Sequence, residues 1–258
     1  MGSKINMIEI FKTKAGIEVP AVTTNQMIEI DRIAMDETGP NLFQMMENAG
    51  RNLAEITIKT LGKSWNKSEI LILAGTGGNG GGGICAARHL ANRGANVSVC
   101  ITDIEKLKKV PSYQLHILKS TSAKLISFKD LHKKNPDLII DAIIGYSLSG
   151  KPKGISAEMI EWASEKLGVR ISLDVPSGVN ATTGEVMGTF INPDLTITLA
   201  LPKTGLLPDI TGDLYLADIG IPKMVYEKLG INYQSPFYEK YYLQLFGNKK
   251  KFVPNLTN

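Results

Sequence analysis

AGTGGNGGGG, residues Ala74 to Gly83, follows the apolar run Ile70 to Leu73 and leads into the helical pattern Ile84 to Ala91. A strand, a glycine loop and a helix in that order make a site for an anion. Successive backbone N–H groups and the positive end of the helix dipole surround phosphate oxygens, and residues without Cβ let a ligand approach the main chain. Seven glycines in ten positions exceed what a turn requires. A tightly packed loop without a ligand is the other reading of the same composition.

On either side of this stretch helices and strands alternate. Upstream, Thr23-Thr24-Asn25 caps a helix with Met27, Ile30, Ile33 and Ala34 at helical spacing, and Gly39-Pro40 ends it. A second helix runs from about Leu42 to Leu61, with Met45, Met46, Ala49 and Leu53 facing inward, before the strand Glu69 to Leu73. Downstream, strands are expected at Val97 to Ile101, Ala123 to Ser127, Leu138 to Ile144, Arg170 to Leu173, Leu195 to Leu199 and Asp213 to Ala217. Helices are expected near Ile104 to Lys108 and over Ser156 to Leu167. Runs such as LILA, DLIIDAII and RISLDV suit a parallel sheet covered on both faces. The chain therefore reads as α/β: a three-layer αβα, doubly wound, mostly parallel sheet of Rossmann-like type, with two helices before the first core strand.

The 258 residues, 43% of them hydrophobic, bury a large core, and no linker divides them. They read as a single domain over 1–258 with its core at 22–222. In the tail, 233–258, aromatic residues stand among lysines and are expected to pack on the body. No apolar run approaches the roughly 18 residues of a membrane span, and the first residues lack a secretory leader, so a soluble, cytoplasmic protein is expected. Cys85 and Cys100 read as buried thiols of a reducing compartment. His89, His116 and His132 are scattered without ligand spacing, which gives a zinc site or a histidine-based triad little support. The net charge of +4 is modest, with lysines at Lys106 to Lys109 and Lys249 to Lys251 read as solvated surface and not as a nucleic-acid site.

Three polar clusters fall at strand ends: Gly75 to Gly83, Asp141 to Gly150, and Asp174 to Ser177. In a doubly wound sheet ligands bind outside the carboxyl ends of the strands, so the three loops build one site. Asp141 stands among Ile139, Ile140, Ala142 and Ile143, where an unpaired carboxylate is costly. Backbone N–H groups, the Asn79 amide or a bound cation are candidate partners, and a hard cation suits oxygens from Asn79, Asp141 and Ser177. A purely structural hydrogen-bonding aspartate is the alternative. Asp174 precedes the turn Val175-Pro176-Ser177-Gly178, which would aim its carboxylate and the Ser177 hydroxyl at the crevice. Such a group serves as a general acid or base, or only caps the turn.

At this point the residues resemble the YjeF N-terminal domains, which act as NAD(P)H-hydrate epimerases. The matching segments are Met46-Glu47-Asn48-Ala49-Gly50, the glycine stretch followed by Ala86 to Leu90, Asp141-Ala142 with Gly145, Leu173 to Gly178, Pro202-Lys203 with Gly205, and Ala217 to Pro222. The resemblance spans roughly Val22 to Pro222. It implies a potassium ion held by Asn79, Asp141 and Ser177. It also implies a substrate diphosphate held by Gly78, Asn79, Gly80, Gly81 and Gly82 and by Gly145, Tyr146, Ser147, Leu148, Ser149, Gly150 and Lys151. Asp174 then takes the catalytic and substrate-contacting position. The implied reaction interconverts the R and S hydrates at C6 of damaged NADH or NADPH, so that a separate stereospecific dehydratase restores the cofactor. A homodimer is compatible with this reading.

The chain departs from the family's usual residues at Gly82, where an aspartate is common, at Tyr146-Ser147, where Thr-Gly is common, and at Asn180, where an aspartate is common. Two other readings stay open. One is a non-catalytic nucleotide-binding or scaffold module. The other is an NAD(P)-dependent oxidoreductase, since Gly75-x-Gly77-x-x-Gly80 fits the dinucleotide fingerprint and Asp103 follows the second strand.

Overall fold

The computed structural model describes residues 6–253, with side chains described for 10–247. The chain opens with strands β1 (Asn6–Thr13) and β2 (Glu18–Pro20), then helices α1 (Thr24–Ile33) and α2 (Leu42–Leu61). There follow β3 (Glu69–Ala74), α3 (Gly78–Ala91), β4 (Asn96–Ile101), α4 (Lys109–Leu118), β5 (Lys124–Ile126), β6 (Leu138–Ala142), α5 (Ile155–Ser164) and β7 (Val169–Leu173). The last elements are β8 (Leu195–Leu199), α6 (Pro208–Thr211), β9 (Asp213–Ala217), α7 (Lys223–Glu227) and β10 (Tyr242–Val253).

The ten strands of the described residues join one sheet in the order β2-β1-β10-β9-β8-β7-β6-β3-β4-β5. From β3 the chain winds outward through β4 and β5, then crosses to β6 on the other side and continues through β7, β8 and β9, all parallel. The switch between β3 and β6 opens the crevice in which such sheets bind ligands. One face of these strands, with Ile70, Ile72, Ile140 and Leu173, packs in a large cluster with residues of α1, α2, α3 and α4. The other face, with Leu71, Leu73 and Ile139, packs under Met159, Ile160 and Ala163 of α5. This is the expected three-layer, mostly parallel arrangement.

Both upstream helices begin with reciprocal capping boxes. The Thr23 side chain accepts from Gln26 N while Gln26 accepts from Thr23 N, and Asn41 pairs with Gln44 in the same way.

Several expectations need correction. Two strands precede the helices: β2 pairs with β1 and β1 with β10, which itself pairs with β9, all antiparallel. The tail does pack, as an inner strand between β1 and β9, with Tyr242 and Leu245 buried, while residues 254–258 lie outside the described part. Lys249 to Lys251 lie in β10 with side chains outside the described ones. Only a single 3-10 turn (Ile104–Lys106) stands where a helix was expected near Ile104 to Lys108, and the helix proper, α4, follows it.

The glycine stretch is the larger correction. Only Gly75 to Gly77 form a loop. Gly78 to Gly83 are the first half of α3, whose first ladder bond runs from Gly81 N to Gly77 O at 3.0 Å. Most of these glycines serve close packing: a Cβ at Gly83 would come within 2.5 Å of the Ala142 Cβ, and one at Gly82 within 2.8 Å of a Leu173 methyl. The helix thus lies directly on β6 and β7.

Candidate active site

A cavity of about 570 Å³ lies at the carboxyl ends of β3, β4, β6, β7 and β8, lined by the Gly75–Asn79 turn, Thr102, Ile143–Ser147, Asp174, Leu199 and Lys203, with Asp31 and methionines of α1 and α2 closing it. A larger groove of about 850 Å³ runs beside β10, lined by Lys14, Glu55, Lys59, Tyr215 and Tyr241, and holds none of the strand-end residues. The chemistry therefore gathers in the smaller space.

Asp174 follows β7 with φ at 68°. A non-glycine residue in that region is uncommon and costs free energy, so the surroundings must impose it. They do: Asp174 N donates to Ile197 O at 2.8 Å, and Oδ1 accepts from Leu199 N at 3.3 Å, from Thr198 Oγ1 at 3.4 Å and from Lys203 Nζ. Oδ2, on the side toward the β6 loop, accepts from Tyr146 N at 3.1 Å. The Lys203 ammonium, 1% exposed, also donates to Leu199 O at 2.9 Å. A cation buried to that degree is tolerated only because a carboxylate and a carbonyl meet it. The sequence reading noted Lys203 within a motif but gave it no role. Its signal was a lone lysine inside the apolar run Leu199 to Leu206.

Asp141, fully buried in β6, accepts from Ser177 N and Ser172 Oγ at 2.8 Å, from Ser177 Oγ at 2.5 Å and from Ile143 N at 3.2 Å. Burial holds its carboxyl above the usual aspartate range, against the lowering effect of these bonds. Backbone N–H groups are therefore among its partners, as one reading had it. The Ser177 hydroxyl does not point into the crevice as expected: it is engaged by Asp141 and accepts from Ile144 N at 2.9 Å. Gly178, at φ 100°, provides the backbone turn that allows this. Asn79 is different. It is placed against Gly145, where a Cβ would meet its Cγ at 3.2 Å, and both atoms of its buried amide have no hydrogen-bond partner.

Of the candidate substrate contacts, Gly78, Asn79, Gly145, Tyr146, Ser147 and Asp174 line the cavity. Gly80, Gly81 and Gly82 do not line it, being packed beneath the turn, and Leu148, Ser149, Gly150 and Lys151 lie beyond its wall on the loop to α5. By helix geometry the N–H groups of Gly78 and Asn79, which line the cavity, have no acceptor inside α3 and are of the kind that can meet an anion. Lys108 also faces the cavity and brings a positive charge. Asp103 does not: it pairs with Lys106 at 2.9 Å and caps the short turn after β4.

Asp31 was not anticipated. Its Oδ2 accepts from the Tyr146 hydroxyl at 2.6 Å, and burial holds its carboxyl above the ordinary aspartate value although that bond and the Lys203 charge act the other way. Nothing in a single helix face marks such a residue, because its partner lies more than a hundred positions away in sequence.

A second cluster joins α2 to α3. Glu47, Cys85 and His89 bring ligand atoms within 4.8 Å of one another, but Arg88 donates to Glu47 Oε2 at 2.5 Å and lies 3.3 Å from the Cys85 sulfur. The guanidinium supplies the positive charge that a metal would. Burial pushes the Cys85 and Cys100 thiols up to about 12, so both are inert.

Comparison with known proteins agrees with this geometry. The family model described as YjeF-related protein N-terminus matches residues 42–205. An NAD(P)H-hydrate epimerase of Dehalogenimonas lykanthroporepellens is 49% identical over 93% of this chain and 98% of its own length. Another, from Rhodopirellula baltica, is 31% identical over 84% of this chain and 91% of its own. A bifunctional NAD(P)H-hydrate repair enzyme of Hyperthermus butylicus is 35% identical over 78% of this chain, which spans only 38% of that protein. In three dimensions the crystal structure of yeast YNL200c superposes with a TM-score of 0.76 at 24% identity, covering 87% of this chain and 99% of that one.

Proposed function

Because the chain belongs to the family of YjeF-related N-terminal domains, we propose that its cavity epimerises the hydroxyl-bearing carbon of hydrated NADH and NADPH. The observation that carries this reading is the buried Asp174–Lys203 pair, set in the wall of a cavity whose other wall is the N-terminal end of α3. A hydride-transfer enzyme needs no such pair, and a scaffold has no reason to keep an aspartate at a strained backbone angle.

The chemistry asks little of the protein. In the hydrate the enamine nitrogen lone pair expels the C6 hydroxyl once that oxygen receives a proton, leaving a planar iminium. Water then adds to either face and loses a proton to a base, which exchanges R and S. Asp174 is placed for the proton transfer to and from water: its carboxylate is held by Lys203, Leu199 N and Tyr146 N and borders the open cavity. The free N–H groups at the start of α3, with Lys108 alongside, hold the diphosphate while the nicotinamide ring presents both faces. Several relatives bear the name of bifunctional repair enzymes. We place a stereospecific dehydratase, separate or fused, as the partner that consumes the product.

A potassium ion fits the residues present. The Asn79 amide is buried without a partner, and the Asp141 carboxylate, in wholly buried surroundings, meets only neutral donors. Both deficits are of the kind a hard cation meets with oxygen ligands. Asn79, Asp141 and Ser177 would hold it. When bound it supplies a fixed positive charge that neutralises Asp141 and adds to the anion-attracting field of the α3 end.

The reading is tested by following chromatographically separated R and S hydrates with the protein, with Asp174→Ala and with no protein, since the hydrates epimerise spontaneously. Acceleration that disappears in Asp174→Ala supports it. A rate equal to the protein-free control overturns it.

A further inference from the structure

Exchange of configuration requires the hydroxyl to leave from one face of the ring and return to the other, and a second proton-carrying group beside Asp174 lets departure and return be served by different residues. The cavity contains a second oxygen acid. Tyr146 lines the cavity and sets its hydroxyl 2.6 Å from Asp31 Oδ2. Its ring lies against Lys203, whose Nζ is 5.7 Å from the ring centroid, and its backbone N–H bonds Asp174. One residue thus joins the two carboxylates.

Resting on the epimerase reading above, we propose that Asp31 and the Tyr146 hydroxyl form a second proton-transfer pair of this site, opposite in role to Asp174. When Asp31 carries a proton, the 2.6 Å contact runs from carboxyl to phenol oxygen, and the phenol O–H is free to turn to the substrate. As the C6–O bond breaks, with its electron pair leaving on oxygen, the phenol proton passes to that oxygen, the Asp31 proton passes to the phenol, and water departs. Water then adds to the opposite face of the iminium and gives its extra proton to Asp174. The net result is one proton moved from Asp31 to Asp174, restored by exchange with solvent, and the reverse epimerisation uses the pair in the opposite order. No oxidant or reductant enters.

The electrostatics of the pocket agree. The titratable groups that act on Asp31 are Tyr146 from the loop after β6, Lys203 from the loop after β8, Asp174 just beyond β7, and Tyr226 from α7. On its own helix the nearest charges, Glu29 and Arg32, are paired with one another. Burial raises the Asp31 carboxyl, which keeps it protonated to higher pH than an ordinary aspartate, and burial likewise pushes the Tyr146 phenol well above the usual tyrosine range. A phenol that does not ionise passes protons on without holding charge.

The test is the pH profile of epimerisation for wild type, Tyr146→Phe, Asp31→Asn and Asp31→Glu, with thermal unfolding of each. The pair predicts that wild-type kcat falls on the alkaline side as Asp31 loses its proton. In Asp31→Asn and Tyr146→Phe, kcat drops about 100-fold with KM within about threefold, and that alkaline fall disappears. Asp31→Glu restores part of kcat with the fall displaced, and the double variant Asp31→Asn/Tyr146→Phe is no slower than either single one. Folded variants with wild-type kcat, or with lower kcat on an unchanged pH profile, overturn the inference while leaving the epimerase reading intact. A wild-type rate no faster than the protein-free control overturns both.

Discussion

Alanine at Gly83 is expected to destabilise the protein, whereas alanine two residues earlier, at Gly81, is expected to stabilise it. In a helix interior alanine is favoured over glycine by ~0.8–1 kcal/mol. At Gly81 the added methyl meets Pro111 at 3.5 Å, an ordinary contact, so that gain stands. At Gly83 it would lie 2.5 Å from the Ala142 Cβ and 3.2 Å from an Ile72 methyl. Carbon atoms rest about 3.5–4.0 Å apart, so α3 would have to lift about 1 Å from β6. Overpacking of this kind costs ~1–3 kcal/mol, which cancels or outweighs the helix gain. The two variants should differ by about 1–3 kcal/mol, and with ~2–4 °C per kcal/mol for a chain of this size, a gap of about 4–8 °C is the central expectation. Thermal unfolding followed by circular dichroism, with urea titration to confirm equal m-values, measures it. Equal shifts in the two variants would refute the account of the glycine stretch as a helix packed on the sheet.

Three other outcomes follow from the same structure. Lys203→Met strands a buried carboxylate and should cost ~3–5 kcal/mol in urea unfolding; adding Asp174→Asn should recover part of it, and a strictly additive double variant contradicts the pairing. Glu47 is opposed by burial, yet its bonds to Arg88 and His89 win and hold it at about 2, below the reference 4.5. Its contribution is therefore present above pH 4.5 and lost as pH falls toward 2, so Glu47→Gln, partly exposed and screened, should cost ~1 kcal/mol at neutral pH, with the gap to wild type closing over that window; a gap that persists at the acid end is the contrary result. Exchanging potassium for tetramethylammonium at fixed ionic strength should lower the wild-type Tm, by ~5–10 °C if potassium was at about 100 times its Kd. Asn79→Ala should remove that sensitivity, and an ion-independent wild type contradicts the site.

The parallel core was legible because its signal is local. Strands such as Leu138–Ala142 and Leu195–Leu199 are wholly buried, so their apolar runs need no partner to be recognised. Strands β1 and β10 were not, because they pair with each other from opposite ends of the chain and expose one side: Phe246 is 44% exposed while Leu245 is buried. Asp141, Asp174, Ser177 and Asn79 announced themselves by being polar at the ends of apolar strands. The orientation of Ser177 toward Asp141 was invisible because it depends on the φ of Gly178 and the register of β6 with β7. Lys203 carried a faint sign, a lysine in an apolar run. Asp31 carried none, since an aspartate on an exposed helix reads as surface until the Tyr146 loop is folded over it.

The most direct test of the central claim is to incubate the pure R hydrate of NADH with the protein in ¹⁸O-water and potassium buffer, reading configuration by chromatography and oxygen by mass spectrometry. The account predicts S hydrate appearing faster than without protein and carrying solvent oxygen at C6, with the rate falling to the protein-free value in Asp174→Ala. S hydrate formed only at the protein-free rate, or formed rapidly without the label, would contradict departure and return of the hydroxyl in this cavity.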